Sequence, residues 1–566
     1  MASPATWLRT VKHLRVRQVL ARPSFHLRRR LLPRVSIEMG RRFMFGEVAT
    51  LPSADSAGPN PITVDGADLD ALAKNNLSLV GQMAPLPQKW PFEPESGDPL
   101  YRYAFHELTW LRAAVELPAC GPDLRNTLTN WLVRYLGSEL PFASVYWDPY
   151  TLGTRCLNLR ALVATRLVAP ELALRLFPRW TAVLLGLTET HLGGNHLLRN
   201  HTAAVVGAAY VGGRHGARLR NHLWQRLAAE VTAQFSDDGC HEERTPGYHL
   251  LAVWELLVVL ASSIHERPDV PNSARQTVED VVTRALAALE VMTHADGRLC
   301  ASGDTAPLSL SPTVEITDWA RTMGLTWSLQ TEAFCDSWGR RTLADGGFSV
   351  LRCDPWRVHL QHGPFGIPHQ PGHAHCDLFA FELDKGPMRV IVDPGVHAYH
   401  DAYWREQTRS ASTHATPSLG NVEQAEIWSR FRCGWRPTIQ DATWERGEQG
   451  WRFVGEAMAF GPDHPHLLRR QLEFCGDAVL VEDRVADANE FSVALTLAPS
   501  CRVRWQDIFC VIENDAIPLL RLSLTSGRMV EEAGYVSHRF GACEPASCIR
   551  LWCDVRGRLD WRLDLL

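Results

Sequence analysis

Lysine is scarce in this chain. Lys12, Lys74, Lys89 and Lys385 are the only four, so arginine supplies the other 54 (58 − 4) of the 58 basic residues. Two readings stay open: a compositional bias, or a preference for the planar guanidinium, which grips carboxylates in bidentate fashion. Any Cys-x-x-Cys pair is also missing. The 14 cysteines are scattered, which in a chain of 566 residues argues against a disulfide scaffold and for mostly buried, reduced thiols. No apolar run reaches the ~20 residues needed to cross a bilayer, so no transmembrane segment is expected. A secretory h-region is lacking too. Residues 1–42 hold eleven Lys/Arg against the single acid Glu38, and Arg28, Arg29 and Arg30 break up the apolar stretches. The expectation is a cytoplasmic chain whose basic start is by default a solvated helix docked on a domain, with a membrane-surface contact or a frayed tail as the alternatives. An overall positive charge is absent: 58 − 63 gives −5, which argues against a nucleic-acid partner.

What is present is a folded chain, 45% hydrophobic and 21% charged. Its length exceeds the ~250–300 residues at which single cores stop growing, so two large domains are expected. Residues 51–62 (LPSADSAGPNPI) read as a linker. From about 66 to 330, apolar residues recur at three and four, as in 100–117, 123–137, 151–167, 171–188, 196–211, 218–235, 248–265 and 273–293. This predicts an all-helical array, either a solenoid or a closed ring. After 340, short β-rich runs such as 347–353, 356–361, 388–393, 451–460, 467–475, 478–485 and 491–498 predict an antiparallel sandwich. The expected layout is a basic segment and linker (1–62), a helical domain (63–335) and a β domain (340–566).

Four polar clusters interrupt the apolar pattern. Gly193-Gly194-Asn195-His196 opens a helix, where exposed N–H groups favour an anion; the alternative is a simple Asn cap. Residues 238–249 (DGCHEERTPGYH) place Tyr248 at the start of an apolar helix. Arg244 or a neighbouring His would lower the phenol pKa for proton exchange; a half-buried capping turn is the alternative. His373-Ala374-His375 in an extended segment puts both rings on one face, and with Asp393 and His414 it offers a His/Asp/His set suited to zinc. Scattered surface histidines are the alternative there. Trp147-Asp148-Pro149-Tyr150 suits a sugar-binding wall, or core packing in a chain with 20 tryptophans.

Taken in order, WDPYTLGTR (147–155), GNHLLRNHTAAVVGAAY (194–210), DDGCHEERTPGYH (237–249), GHAHCDLFAFEL (372–383), VIVDPGVHAY (390–399) and residues 405–432 resemble the heparinase II/III-like polysaccharide lyases, a group that includes oligoalginate lyases. The resemblance implies an α+β multidomain chain: an N-terminal (α/α) toroid followed by a C-terminal antiparallel β-sandwich. It implies a carbon–oxygen lyase cleaving a uronate-containing acidic polysaccharide or oligosaccharide, such as a glycosaminoglycan or alginate, by β-elimination. Asn195 and His196 resemble the pair that neutralises the uronate carboxylate, Tyr248 the catalytic tyrosine and His373 the catalytic histidine. His375, Asp393 and His414 resemble ligands of a structural divalent metal, zinc in relatives. Relatives usually carry Asn where this chain has Ala415. Trp147, Tyr150, Arg244, Arg405 and Arg409 are expected to bind substrate, and a homodimer stays open. Two other classes remain: a toroid-based glycoside hydrolase using Glu242, Glu243 or Asp377, and a non-catalytic polysaccharide-binding or assembly factor.

Overall fold

A computed structural model describes residues 3–43, 52–64, 66–138, 140–141, 144–265, 270–328, 338–447, 450–553 and 557–566. The expected end of the helical part at 335 lies outside them. The architecture is mixed α and β, with helices first and antiparallel sheets after.

Helices run from Pro99–Glu107 through Thr109–Glu116, Pro122–Gly137, Pro149–Ala164, Pro170–Gly186, Gly194–Ala208, Gly213–Gln234 and Pro246–His265 to Asn272–Val291. Several begin with proline at the first helical position, where its missing N–H costs nothing and its fixed φ suits the helix. The apolar stretch 100–117 is two helices, not one. Leu108 adopts φ 62° between them, a left-handed break that periodicity cannot show. The segment expected as a free linker is docked instead: Arg112 donates to the Gly58 carbonyl and Arg160 to that of Ser56. A hairpin, Asn76–Leu79 with Gln82–Pro85, interrupts the stretch expected to be helical throughout.

Gly194–Ala208 is buried on nearly every face and packs against Pro149–Ala164, Pro170–Gly186, Gly213–Gln234 and Pro246–His265. Its N-terminus is therefore held from several sides. Pro246–Ile264 is long and apolar enough, by length and composition alone, to cross a membrane. That corrects the expectation that no such run exists. The run is a core helix, buried against its helical neighbours over most of its length.

The strands begin with a five-stranded antiparallel meander from Gly339–Leu343 to Met388–Ile391. Alternation divides its two faces: Phe348 and Val350 join the helical core, while Leu351, Val358 and Leu360 join a second core shared with the later strands. An eight-stranded sheet places the last strand, Arg558–Leu565, between Ala478–Val485 and Ile517–Leu524. A four-stranded sheet holds Phe491–Thr496 and Glu544–Cys553. Two long loops leave the meander, 362–380 and 392–437, and they carry the histidines singled out above. Among the described residues no cysteine forms a disulfide.

The basic start forms helices Pro4–Val11 and Val16–Phe43. Arg9 pairs with Glu426, its Nε 2.7 Å from Oε2, and Trp7 packs on Trp428 with ring centroids 4.9 Å apart. Further along, Gln18 donates to the Leu192 carbonyl and Arg28 to that of Gly186. The segment thus runs from the loop bearing Glu426 to the turn just before Asn195.

Candidate active site

Four stretches converge: the start of Gly194–Ala208, the turn leading into Pro246–His265, and the two long loops. Glu243 links them. Its Oε1 accepts the Asn195 N–H at 2.8 Å, and its Oε2 lies 3.9 Å from His373 Nε2. The approach requires glycine at 194, where φ is 51° and a Cβ would meet Glu243 Oε1 at 2.3 Å. Asn195 Oδ1 is buried without a hydrogen-bond partner. His196 lies against the Tyr150 ring, centroids 4.7 Å apart, with Nδ1 3.4 Å from Glu189 Oε1. Burial opposes its charge, but the Glu189 carboxylate outweighs burial and raises its pKa.

Tyr248 stacks on His373, with centroids 4.0 Å apart and planes at 29°, and its hydroxyl lies 3.3 Å from that of Tyr399. The expected lowering of its pKa is not what the structure holds. Desolvation, reinforced by Tyr399, Tyr150 and Asp304, pushes the phenol well above its ordinary value. Arg244, expected to supply positive charge, turns its guanidinium to the backbone carbonyls of Gly366 and Asp345.

Asp304 organises the histidine side. One oxygen pairs with His373 Nδ1 at 2.8 Å, the other with His375 Nε2 at 2.9 Å, and Arg405 grips both. Burial works against this carboxylate, yet Arg405 and the histidines hold its pKa well below the usual range. The Nδ1 contact leaves His373 Nε2 directed toward Glu243. Nothing in SGDTA (302–306) marked Asp304, which sits far from His373 in sequence; Tyr399 and Glu243 stood inside noted motifs, but their roles depend on contacts made in space.

Three expected substrate residues are corrected. Trp147 is 4% exposed, packs in the helical core and donates its indole N–H to the Leu140 carbonyl, so no face is open for a sugar. Arg405 is committed to Asp304 and to the carbonyls of Gly372 and Arg430. Arg409, 2% exposed, donates to the carbonyls of Pro371, Ala374 and Arg430 and clamps the loop bearing both histidines. Asp148 is paired with Arg29. Tyr150 packs against His196, with the Arg199 guanidinium 4.9 Å from its ring centre.

The His/Asp/His set is partly assembled. His414 Nδ1 is 2.6 Å from Asp393 Oδ2, and Asp393 Oδ1 accepts the Gly395 N–H. The His375 and His414 rings lie 5.3 Å apart. His375 Nδ1 and His414 Nε2 are buried without hydrogen-bond partners, each ring being fixed through its other nitrogen by a carboxylate. Such orphaned, oriented imidazoles suit a divalent cation. Both Asp393 oxygens already serve as acceptors, and the trio does not close into a tight cluster. Among the described residues, the group of three donors lying within 4.8 Å of one another is His294, Cys300 and His359.

The N-terminal heparinase II/III domain matches residues 187–295 and the heparinase II/III-like C-terminal domain matches 336–556, together covering every part of the site except Tyr150 and Asp304. The chain belongs to the heparinase II/III-like family of polysaccharide lyases. Its fold is similar to that of heparinase III (TM-score 0.62, 14% identity, covering 94% of this chain and 89% of that one). It is also similar to a heparan sulfate lyase HepC mutant from Pedobacter heparinus (TM-score 0.54, 16% identity, 95% and 88%). The chondroitin AC lyase of Streptomyces coelicolor A3, solved with chondroitin sulphate, follows (TM-score 0.52, 12% identity, 96% and 83%). At these identities the likeness concerns the fold. No curated protein sequence matches the chain significantly.

Proposed function

We propose that this lyase cleaves a uronate-containing acidic polysaccharide or oligosaccharide by β-elimination, on a scaffold of an (α/α) toroid (63–335) and an antiparallel β-sandwich (340–566). The observation that carries the reading is the stack of Tyr248 on His373, with Asp304 behind His373 and the Asn195–His196 pair across Glu243.

The residue types suit the chemistry. A uronate C5 proton is weakly acidic until the adjacent carboxylate is neutralised. The Asn195 amide and a protonated His196 supply that neutralisation. His373 Nε2 takes the C5 proton, while Asp304 holds the other nitrogen as a donor and stabilises the imidazolium that forms. The C5–H electron pair becomes the C4=C5 double bond, and the C4–O bond breaks with its pair on oxygen. Tyr248, kept as a neutral phenol by burial, donates its proton to that oxygen, and proton exchange then restores both groups. Here Tyr248 is the acid and His373 the base. Positive charge near the site comes from His196 and from Arg15 and Arg17, both exposed where the two N-terminal helices meet and Arg15 lying 3.7 Å from Glu242, in place of Arg244, Arg405 and Arg409.

A divalent metal, if bound, would be held by His375 Nδ1 and His414 Nε2 with Asp393 beside them, and would tie the His373 loop to the loop bearing His414. A glycoside hydrolase needs two carboxylates flanking a bond. Glu243 is instead committed to the Asn195 N–H, and Asp377 is buried near His414 with its pKa pushed up to about 6, mainly by desolvation.

Incubation with a panel of acidic polysaccharides tests the proposal. Release of UV-absorbing unsaturated uronate is expected, with Tyr248→Phe lowering kcat by about 10²–10⁴-fold and leaving circular dichroism unchanged. Saturated products, or full activity in Tyr248→Phe, would overturn it.

A further inference from the structure

We propose that the protein binds one zinc-class divalent metal at a second, buried site formed by His294, Cys300, His359 and Glu382. The helical part and the first sheet meet there. His294 and Cys300 flank the turn that follows Asn272–Val291, where Thr293 and Leu299 pair and the Cys300 N–H donates to Met292. His359 and Glu382 sit directly opposite each other on neighbouring strands and point the same way. The ligand atoms of His294, Cys300 and His359 all lie within 4.8 Å of one another, and His294 Nε2 is 3.3 Å from Glu382 Oε2. All four residues are buried, at 2%, 4%, 5% and 4% exposure.

The outer contacts are those a metal site requires. His294 Nδ1 is fixed by Asp384 at 2.5 Å, and His359 Nδ1 by the Val291 carbonyl at 2.9 Å. Glu382 Oε1 accepts the Ala301 N–H at 2.8 Å. Each contact turns the remaining atom inward. The two Nε2 atoms are buried without a hydrogen-bond partner, although leaving a buried polar atom unpaired is unfavourable. Two imidazoles, a thiolate and one carboxylate oxygen form a four-donor set of the kind tetrahedral zinc takes. With no metal bound, Arg389 Nη1, 3.5 Å from Glu382 Oε2, and His294, whose pKa, despite burial, the Asp384 and Glu382 carboxylates raise, neutralise this carboxylate. A crevice lined by Cys300, Ser302, His359, Gln361, Glu382 and Asp393 opens onto the donors.

The thiolate separates this site from the His375, Asp393 and His414 set, which contains none. Full-length protein stripped with chelator is reloaded with Co²⁺. A thiolate-to-cobalt charge-transfer absorption in the near ultraviolet is expected, together with a rise in melting temperature. Cys300→Ser should abolish the absorption and remove one equivalent of bound cobalt. His359→Gln should weaken cobalt binding at least tenfold while retaining the native circular dichroism, so the result does not depend on Cys300→Ser folding. Absence of the absorption in the wild-type protein would overturn the proposal and leave His294 as an imidazolium bridging Asp384 and Glu382. Its persistence in Cys300→Ser would do the same.

Discussion

At the residue scale, what a side chain can do here depends on what already holds it. Arg405 and Arg409 sit within one loop, yet both are buried and committed, Arg405 to Asp304 and Arg409 to a ring of carbonyls. Arg409→Ala therefore leaves several buried carbonyls unpaired. It should lower stability on the order of 3 kcal/mol, read as a fall in melting temperature, with activity lost only as the fold is lost. Arg15→Ala should do the opposite, raising KM and leaving the melting temperature unchanged. His196 gives a pH signature. Its folded pKa lies above the unfolded ~6.5, so the imidazolium contribution is complete below that value and disappears as pH rises through the folded pKa. kcat/KM on a uronate substrate should fall along an alkaline limb, and replacing His196 by Gln should remove that limb while lowering the plateau. Asn195, His196, Tyr248 and His373 were legible because each sits in a motif. Asp304 was not, since its partners lie 69 and 101 residues away.

At the element scale, the two N-terminal helices are a strap between the loop bearing Glu426 and the turn before Asn195. Glu426 anchors it. The Arg9 hydrogen bond outweighs a small desolvation penalty and, with Thr6, lowers its pKa to about 2. A depressed carboxylate contributes stability that is present above its unfolded pKa of ~4.3 and lost as pH falls through about 2. Proteolysis within residues 3–30 should accelerate across that window, and Glu426→Gln should be cut rapidly at neutral pH; equal resistance in both proteins would refute the anchor. Sequence reading gave the strap its charge, its helical character and, as the default, a docked place on a domain, but not its contacts, which lie far away in the chain. Periodicity located most helices within a few residues, as with 149–164 and 272–291. It failed at Leu108, where one left-handed residue splits a continuous apolar pattern.

At the scale of the whole molecule, a net charge of −5 coexists with His196, whose pKa is raised, and with exposed Arg15 and Arg17, Arg15 lying 3.7 Å from Glu242. Binding of an anionic polymer should therefore weaken with ionic strength as exposed charges are screened over a Debye length of ~10 Å at 0.1 M, and a KM independent of salt between 0.05 and 0.5 M would contradict that picture. By itself the sequence determined the order of helices and strands and the motifs that mark the family, because periodicity and residue type are local properties of the chain. Only the tertiary structure decided which arginines are exposed, that burial raises the Tyr248 phenol pKa, that Asp304 stands behind His373, and that His294, Cys300, His359 and Glu382 meet. Those outcomes depend on burial and on distances between residues far apart in the chain, and neither is written in any short stretch of it.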